Sequence, residues 1–310
     1  MRFSCSLPIE EASGNEFQSI EAIGEMALAV DKAGLDAIFV TDHPAPSQRW
    51  LEGGGHETYD PFVALTVAAC AAPRILLHTH ILVLAYRNPF DVAKAAASLD
   101  ALSGGRLVLG IGTGYLKPEY AALGVDFDAR GAITDESLKL MRQAWTGEPV
   151  HYEGERFFAR DTVIRPVPPQ PHGVTVWAGG NANVAIRRAV EMCEGWCPFP
   201  VEGIVTRTAR TEELSSMEQL KAKLAYARDH ADRIGRTRKL DVCMGRFPGS
   251  GLRMHSKGDA AQAVDEYSAL AEAGVTWATM AVPAQSRAGF AENLQWFGEE
   301  IAAKVKAGTQ

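Results

Sequence analysis

Apolar residues along the chain fall into two recurring patterns. Short runs rich in apolar and β-branched residues read as strands buried on both faces. They cover Arg2–Pro8, Ala37–Asp42, Ile75–Leu84, Arg106–Gly112, Val174–Gly180, Gly195–Phe199, Leu240–Phe247 and Trp277–Pro283. Between them lie longer segments with helical periodicity: Ser19–Ala33, Pro61–Ala72, Phe90–Leu102, Thr134–Thr146, Ala182–Cys193, Ser216–Ile234, Asp259–Ala273 and Arg287–Lys304. Pro61 and Pro89 suit helix starts, while Gly34 and the Ser103-Gly104-Gly105 turn suit helix ends. Strict alternation implies a parallel sheet, because parallel neighbours need a crossover connection. Eight such units predict closure into a (β/α)₈ TIM barrel, with a doubly wound open sheet as the runner-up. Against the open sheet, no Gly-x-Gly-x-x-Gly turn follows the first strand.

Three segments exceed a simple connection: Ala45–Asp60, Gly147–Gly173 and Glu202–Ser215. The second holds a strand-like piece, Val150–Phe158, and a Pro-rich stretch, Arg165–Pro171. Long loops of this kind serve as lids or binding loops. No internal repeat beyond the strand-helix unit and no interdomain linker is visible, so residues 1–310 read as one domain.

Composition narrows the classes. The chain has 310 residues, 46% hydrophobic and 22% charged, which suits a sizeable core and excludes a mostly disordered chain. Its net charge of -7 argues against nucleic acid as a partner. No apolar run is long enough to span a bilayer; even Ile75–Ala85 is interrupted by His78 and His80. The N-terminus reads as a strand rather than a secretory signal, so a cytoplasmic location is expected. The five cysteines are scattered, and no disulfide framework is expected. Cys193 and Cys197 are the only close pair, and with no neighbouring His they read as buried small residues.

In a parallel barrel the chemistry sits at the C-terminal ends of the strands. Asp42-His43, at the exit of the second strand, is the best acid/base candidate, since imidazole titrates near neutral pH and a carboxylate can orient it. Adjacent strand residues point to opposite faces, so Asp42 need not touch His43. Gly112-Thr113-Gly114 allows close backbone approach to a ligand, or is a tight turn. Gly179-Gly180-Asn181 precedes a helix whose N-terminus favours an anion, with Asn181 or Asn183 as cap or phosphate ligand; the plain alternative is a capped turn. His78 and His80 share the spacing of paired metal-binding histidines. No further ligand set is recognisable at other strand ends, so no metal is assigned; one ring would pack and the other line a pocket.

Together these motifs resemble the luciferase-like monooxygenase superfamily over nearly the whole chain. The carriers are Thr41-Asp42-His43, Thr79-His80-Ile81-Leu82 with Arg87-Asn88-Pro89, and Leu99-Asp100 with Ser103-Gly104-Gly105-Arg106. Leu109 to Gly114, Trp177-Ala178-Gly179-Gly180 and Glu194-Gly195-Trp196 continue the series. Within it the chain most resembles the branch using the 8-hydroxy-5-deazaflavin coenzyme F420. The resemblance implies an oxidoreductase that moves hydride to or from a small organic substrate, with a homodimer common among such families. An FMN-dependent monooxygenase and a non-catalytic flavin or deazaflavin carrier are the alternatives. It implies a ring at the strand ends and a phosphate-bearing tail running outward. His43 matches the histidine beside the reactive carbon, and Asp42 its acidic neighbour. His80-Ile81, after Thr79, matches a non-prolyl cis peptide that bulges against the ring. Thr113 and Gly114, after Gly112, match ring or tail contacts, and Gly179 and Gly180 the phosphate loop. One departure stands out: sugar-phosphate dehydrogenases of this branch carry Glu after Gly-Thr-Gly, where this chain has Tyr115. No sugar-phosphate-binding basic residues are recognisable either, so such a substrate is not expected.

Overall fold

The computed structural model describes residues 1–9, 16–248 and 260–308. All eight predicted barrel strands form, as β1 (Arg2–Ser6), β2 (Ala37–Val40), β3 (Leu76–Val83), β4 (Leu107–Gly112), β7 (Thr175–Gly179), β8 (Gly195–Cys197), β9 (Asp241–Met244) and β10 (Trp277–Met280). They close in the order β1-β10-β9-β8-β7-β4-β3-β2, with every neighbouring pair parallel. Closure rules out the doubly wound open sheet. The strand-like piece at Val150–Phe158 is instead an antiparallel hairpin, β5 (Val150–Glu153) and β6 (Phe158–Thr162), outside the barrel. Because the hairpin stands apart, β4 pairs directly with β7, Ile111 opposite Ala178.

The helices form where the punctuation placed them. Asp60 and Asn88 accept hydrogen bonds from first-turn N–H groups, with Pro61 and Pro89 starting the helices. Gly104 ends the helix Pro89–Ser103 at φ 73°, a left-handed conformation that favours glycine. The helix predicted from Thr134 starts earlier, at Arg130. The predicted start of another helix, Asp259, lies outside the described residues; that helix is described from Ala260 to Ala273. The last helix is not uniform. It passes through a π-helical turn, Gly298–Ala302, where a Cβ on Gly298 would lie 2.2 Å from the Ala33 carbonyl oxygen. Glycine there permits close contact with the end of the helix Ile20–Lys32.

Most predicted strands are longer than those observed, and the excess lies mainly at their C-terminal ends. Thr41 to His43, Pro198 to Phe199 and Ala281 to Pro283 leave the ladder once the tilted strands reach the rim. Inside the barrel, Ala37, Val108, Trp177, Cys197, Cys243 and Trp277 pack as one cluster, joined by Leu76 and Ile81. A much larger apolar core lies between strands and helices. Among the described residues no helix is long and apolar enough to cross a membrane.

Candidate functional site

β2, β3, β4 and β7 are consecutive neighbours around the barrel. Their C-terminal ends therefore put His43, Gly112 to Gly114 and Gly179-Gly180 along one arc of the mouth, with His80-Ile81 inside β3 next to that arc. This arc unites segments more than a hundred residues apart in sequence.

His43 anchors one end. Its Nδ1 lies 3.2 Å from Oε2 of Glu119, whose side chain is fully buried. The same oxygen accepts the Tyr86 hydroxyl at 2.8 Å, and Oε1 accepts the Ala45 N–H at 3.2 Å. Burial acts to raise the Glu119 carboxyl, but hydrogen bonds from His43, Tyr86 and Ala45, with the charge of His43, hold it below its ordinary value. The Tyr86 phenol is pushed up, first by burial and then by Glu119. Since an ionised carboxylate only accepts, the His43 proton belongs on Nδ1, leaving Nε2 with its lone pair. Around His43 stand Trp50, His56 and Tyr115, with ring centres 4.4, 5.1 and 6.1 Å away.

Glu119 was not singled out in the sequence. It lies on a short helix, Lys117–Ala122, inside what read as a loop after β4. Pro118 in the first turn signals such a helix, but nothing local says that its carboxylate meets His43.

Asp42, expected as the acidic neighbour that supports the His43 region electrostatically, is engaged by its own partners. It is buried and chelated by Arg87, with Arg87 Nη1 2.7 Å from Oδ2 and Nη2 2.8 Å from Oδ1. Oδ2 also accepts the Val83 N–H at 2.9 Å. With both oxygens occupied, the residue fixes the β2 exit against the end of β3 rather than facing a substrate.

The peptide His80-Ile81 is cis. The β3–β4 register shifts between Thr79 and Leu82, and half-buried Ile81 projects at that irregularity. Thr79 itself is turned away, its hydroxyl donating to the Gly110 carbonyl at 2.8 Å. A Cβ on Gly112 would meet Ile81 Cγ2 at 3.2 Å, and one on Gly179 would meet Ile81 Cδ1 at 2.3 Å. Both glycines therefore make room for Ile81. Gly114 (φ 67°) and Gly180 (φ 119°) take backbone conformations that disfavour other residues. Thr113 is half-buried at the rim, and its carbonyl accepts the Tyr120 hydroxyl at 2.5 Å.

Asn181, read as a helix cap or a phosphate ligand, is likewise engaged by backbone. Its amide donates to the Phe199 and Glu212 carbonyls, both at 2.7 Å, and its oxygen accepts the Phe199 N–H at 2.7 Å. The fully buried side chain ties two rim loops together and is not left for a phosphate. Nor does Asn181 or Asn183 cap the following helix. Ala182 is the N-cap of Asn183–Met192 and offers no side-chain acceptor, so that N-terminus has no side-chain cap. Nearby, Lys117 Nζ, Arg130 Cζ and Arg210 Cζ lie 4.9, 4.0 and 5.1 Å from the centre of the Phe127 ring.

Cys197, read from the sequence as a buried small residue with no neighbouring His, meets two histidines in the fold. One ligand atom from each of His78, His80 and Cys197 lies within 4.8 Å of the others inside the barrel.

This sequence matches the luciferase-like monooxygenase family over residues 1–308, and the chain belongs to that family. Among curated relatives, it is 36% identical to a protein described as an F420-dependent glucose-6-phosphate dehydrogenase of Gordonia bronchialis, over 55% of this chain and 50% of the relative. It is 30% identical to the protein of the same description from Amycolatopsis mediterranei, over 74% of this chain and 72% of the relative. The chain therefore spans only about half the length of the first of these relatives. The crystal structure of the monooxygenase RslO1 from Streptomyces bottropensis superimposes with a TM-score of 0.74 at 19% identity, covering 98% of this chain and 99% of that one. At that identity the likeness speaks to the fold alone.

Proposed function

We propose that the chain is an F420-dependent oxidoreductase that transfers hydride to or from a small organic substrate. The observation that carries this reading is the His43–Glu119 pair at one end of a strand-end arc with the Ile81 bulge next to it. The two relatives described as F420-dependent support the choice of cofactor.

The residues suit such a group. Ile81, projecting where Gly112 and Gly179 give it space, offers an apolar surface for a planar ring. The helix N-terminus at Ala182, which has no side-chain cap, offers backbone N–H groups to phosphate. Among the described residues Lys117, Arg130 and Arg210 form no ion pair, so three cations beside Phe127 remain available to an anionic tail. When bound, the deazaflavin supplies the carbon that accepts or gives up hydride.

The protein supplies the proton chemistry. Glu119 holds Nδ1–H of His43 and balances the positive charge that forms when Nε2 takes a proton. Nε2 then removes a hydroxyl proton as hydride leaves an alcohol carbon, or returns it in the reverse direction. Trp50, His56 and Tyr115 wall this position and limit water, and Asp42 with Arg87 keeps the β2 exit in place. The same reading makes the chain a cytoplasmic homodimer with a small-molecule substrate and no nucleic-acid or membrane partner. Its net charge of -7 supports the exclusion of nucleic acid.

The test is a side-by-side titration with oxidised F420 and FMN, followed by intrinsic tryptophan fluorescence. Tighter F420 binding is the expected result. Preference for FMN would move the chain to the flavin monooxygenases, where substrate-dependent oxygen consumption is then expected. Binding of neither would refute both readings. Light scattering checks the dimer.

A further inference from the structure

Below the mouth, the barrel lumen gathers donor groups that hydride transfer does not use. His78 and His80 come from β3 and Cys197 from β8, with β4 and β7 between those strands, so they meet across the lumen. His78 is 1% exposed and its ring is fixed: Nδ1 lies 3.3 Å from Ser4 Oγ on β1, and the ring packs edge-on against Trp177 at 4.9 Å. His78 Nε2 and His80 Nδ1 are both buried and have no hydrogen-bond partner. Two orphaned nitrogens converging on a thiol are costly in an apolar lumen unless something satisfies them.

We propose that His78 Nε2, His80 Nδ1 and Cys197 Sγ bind one Zn²⁺ ion, cross-tying β3 and β8 beneath the His80-Ile81 peptide. Imidazole and thiolate are the donors this cation prefers. Bonds of about 2.0–2.3 Å to a tetrahedral ion place its ligands about 3.3–3.8 Å apart, so donors within 4.8 Å need close by at most about 1–1.5 Å. The Ser4 hydroxyl orients His78 through its other nitrogen, the usual support for a ligating histidine. Binding replaces the Cys197 S–H bond with a sulfur–zinc bond and releases one proton to solvent; no electron moves. The site does not depend on which cofactor binds above.

The experiment titrates chelator-treated full-length protein with Zn²⁺ against a chromogenic indicator, then repeats the titration with Co²⁺ as a spectroscopic substitute. One Zn²⁺ per chain is expected, with release of about one proton and a thiolate-to-cobalt charge-transfer band. Cys197→Ser should abolish the band and weaken binding about 100-fold or more, and Ser4→Ala should weaken it about tenfold. Cys70→Ser, at the exposed cysteine, should change neither. No binding by the wild-type chain, or full affinity in Cys197→Ser, overturns the proposal. Should Cys197→Ser not fold, X-ray absorption on the zinc-loaded wild type decides: nitrogen and sulfur ligands support the site, and a shell without sulfur refutes it.

Discussion

Replacing Glu119 by Ala tests whether this buried carboxylate organises the site. The side chain satisfies three donors: the His43 ring, the Tyr86 hydroxyl and the Ala45 N–H. Tyr86 is 7% exposed, so its hydroxyl cannot recruit bulk water easily when Glu119 is lost. An orphaned buried donor costs about 1–3 kcal/mol. His43 and Ala45 are less buried and lose about 0.5–1 kcal/mol each. The sum is a destabilisation of about 2–5 kcal/mol. The reasoning is sharpened by a double-mutant cycle. Tyr86→Phe alone should cost about 1 kcal/mol, because it leaves Glu119 short of a donor. In the Glu119→Ala background the same change should cost nothing or restore stability, because it removes the orphaned hydroxyl. Urea denaturation of the four proteins measures the coupling, expected at about 1–2 kcal/mol with unchanged m-values. Additivity within about 0.5 kcal/mol would refute the shared-carboxylate reading.

Four further outcomes follow from the same geometry. The Glu119 carboxyl is held below its ordinary value in the folded chain, so its contribution is full above the ordinary carboxylate range and lost as pH falls through the folded-state pKa; the wild type should therefore lose its stability advantage over Glu119→Gln below about pH 4, and an advantage that persists in acid contradicts the assignment. His43→Ala should bind cofactor normally yet lose about 10²–10⁴ in turnover, and full turnover would remove His43 from the chemistry. Asp42→Ala should cost about 1.5–3 kcal/mol because it leaves Arg87 only Asp60, at 3.5 Å, and orphans the Val83 N–H, with part of the loss recovered in Asp42→Ala/Arg87→Met; a fully stable Asp42→Ala with no activity would give Asp42 a catalytic role. Gly179→Ala pushes on Ile81 Cδ1 and should weaken cofactor binding about tenfold (about 1.4 kcal/mol), with Ile81→Val restoring part of it; unchanged affinity argues against Ile81 as the ring's support.

What sequence alone determined was the frame. Apolar runs separated by helical periodicity define eight alternating units, because burial on both faces of a strand and one face of a helix leaves a periodic mark on each. Asp60-Pro61, Asn88-Pro89 and Gly104 mark helix ends through local backbone chemistry. Strand exits, read under the barrel rule, pointed to His43, Gly112 and Gly180, and the family resemblance added Ile81. Tertiary structure alone decided who meets whom. Glu119 reaches His43 from a six-residue helix too short to leave a periodic signature. Asp42 and Asn181, polar residues at promising positions, are taken up by Arg87 and by the rim backbone, since a buried polar group binds whichever partner the fold brings near. Cys197 lies more than a hundred residues from His78 and His80, and only closure of the sheet into a barrel brings the three donors together across the lumen.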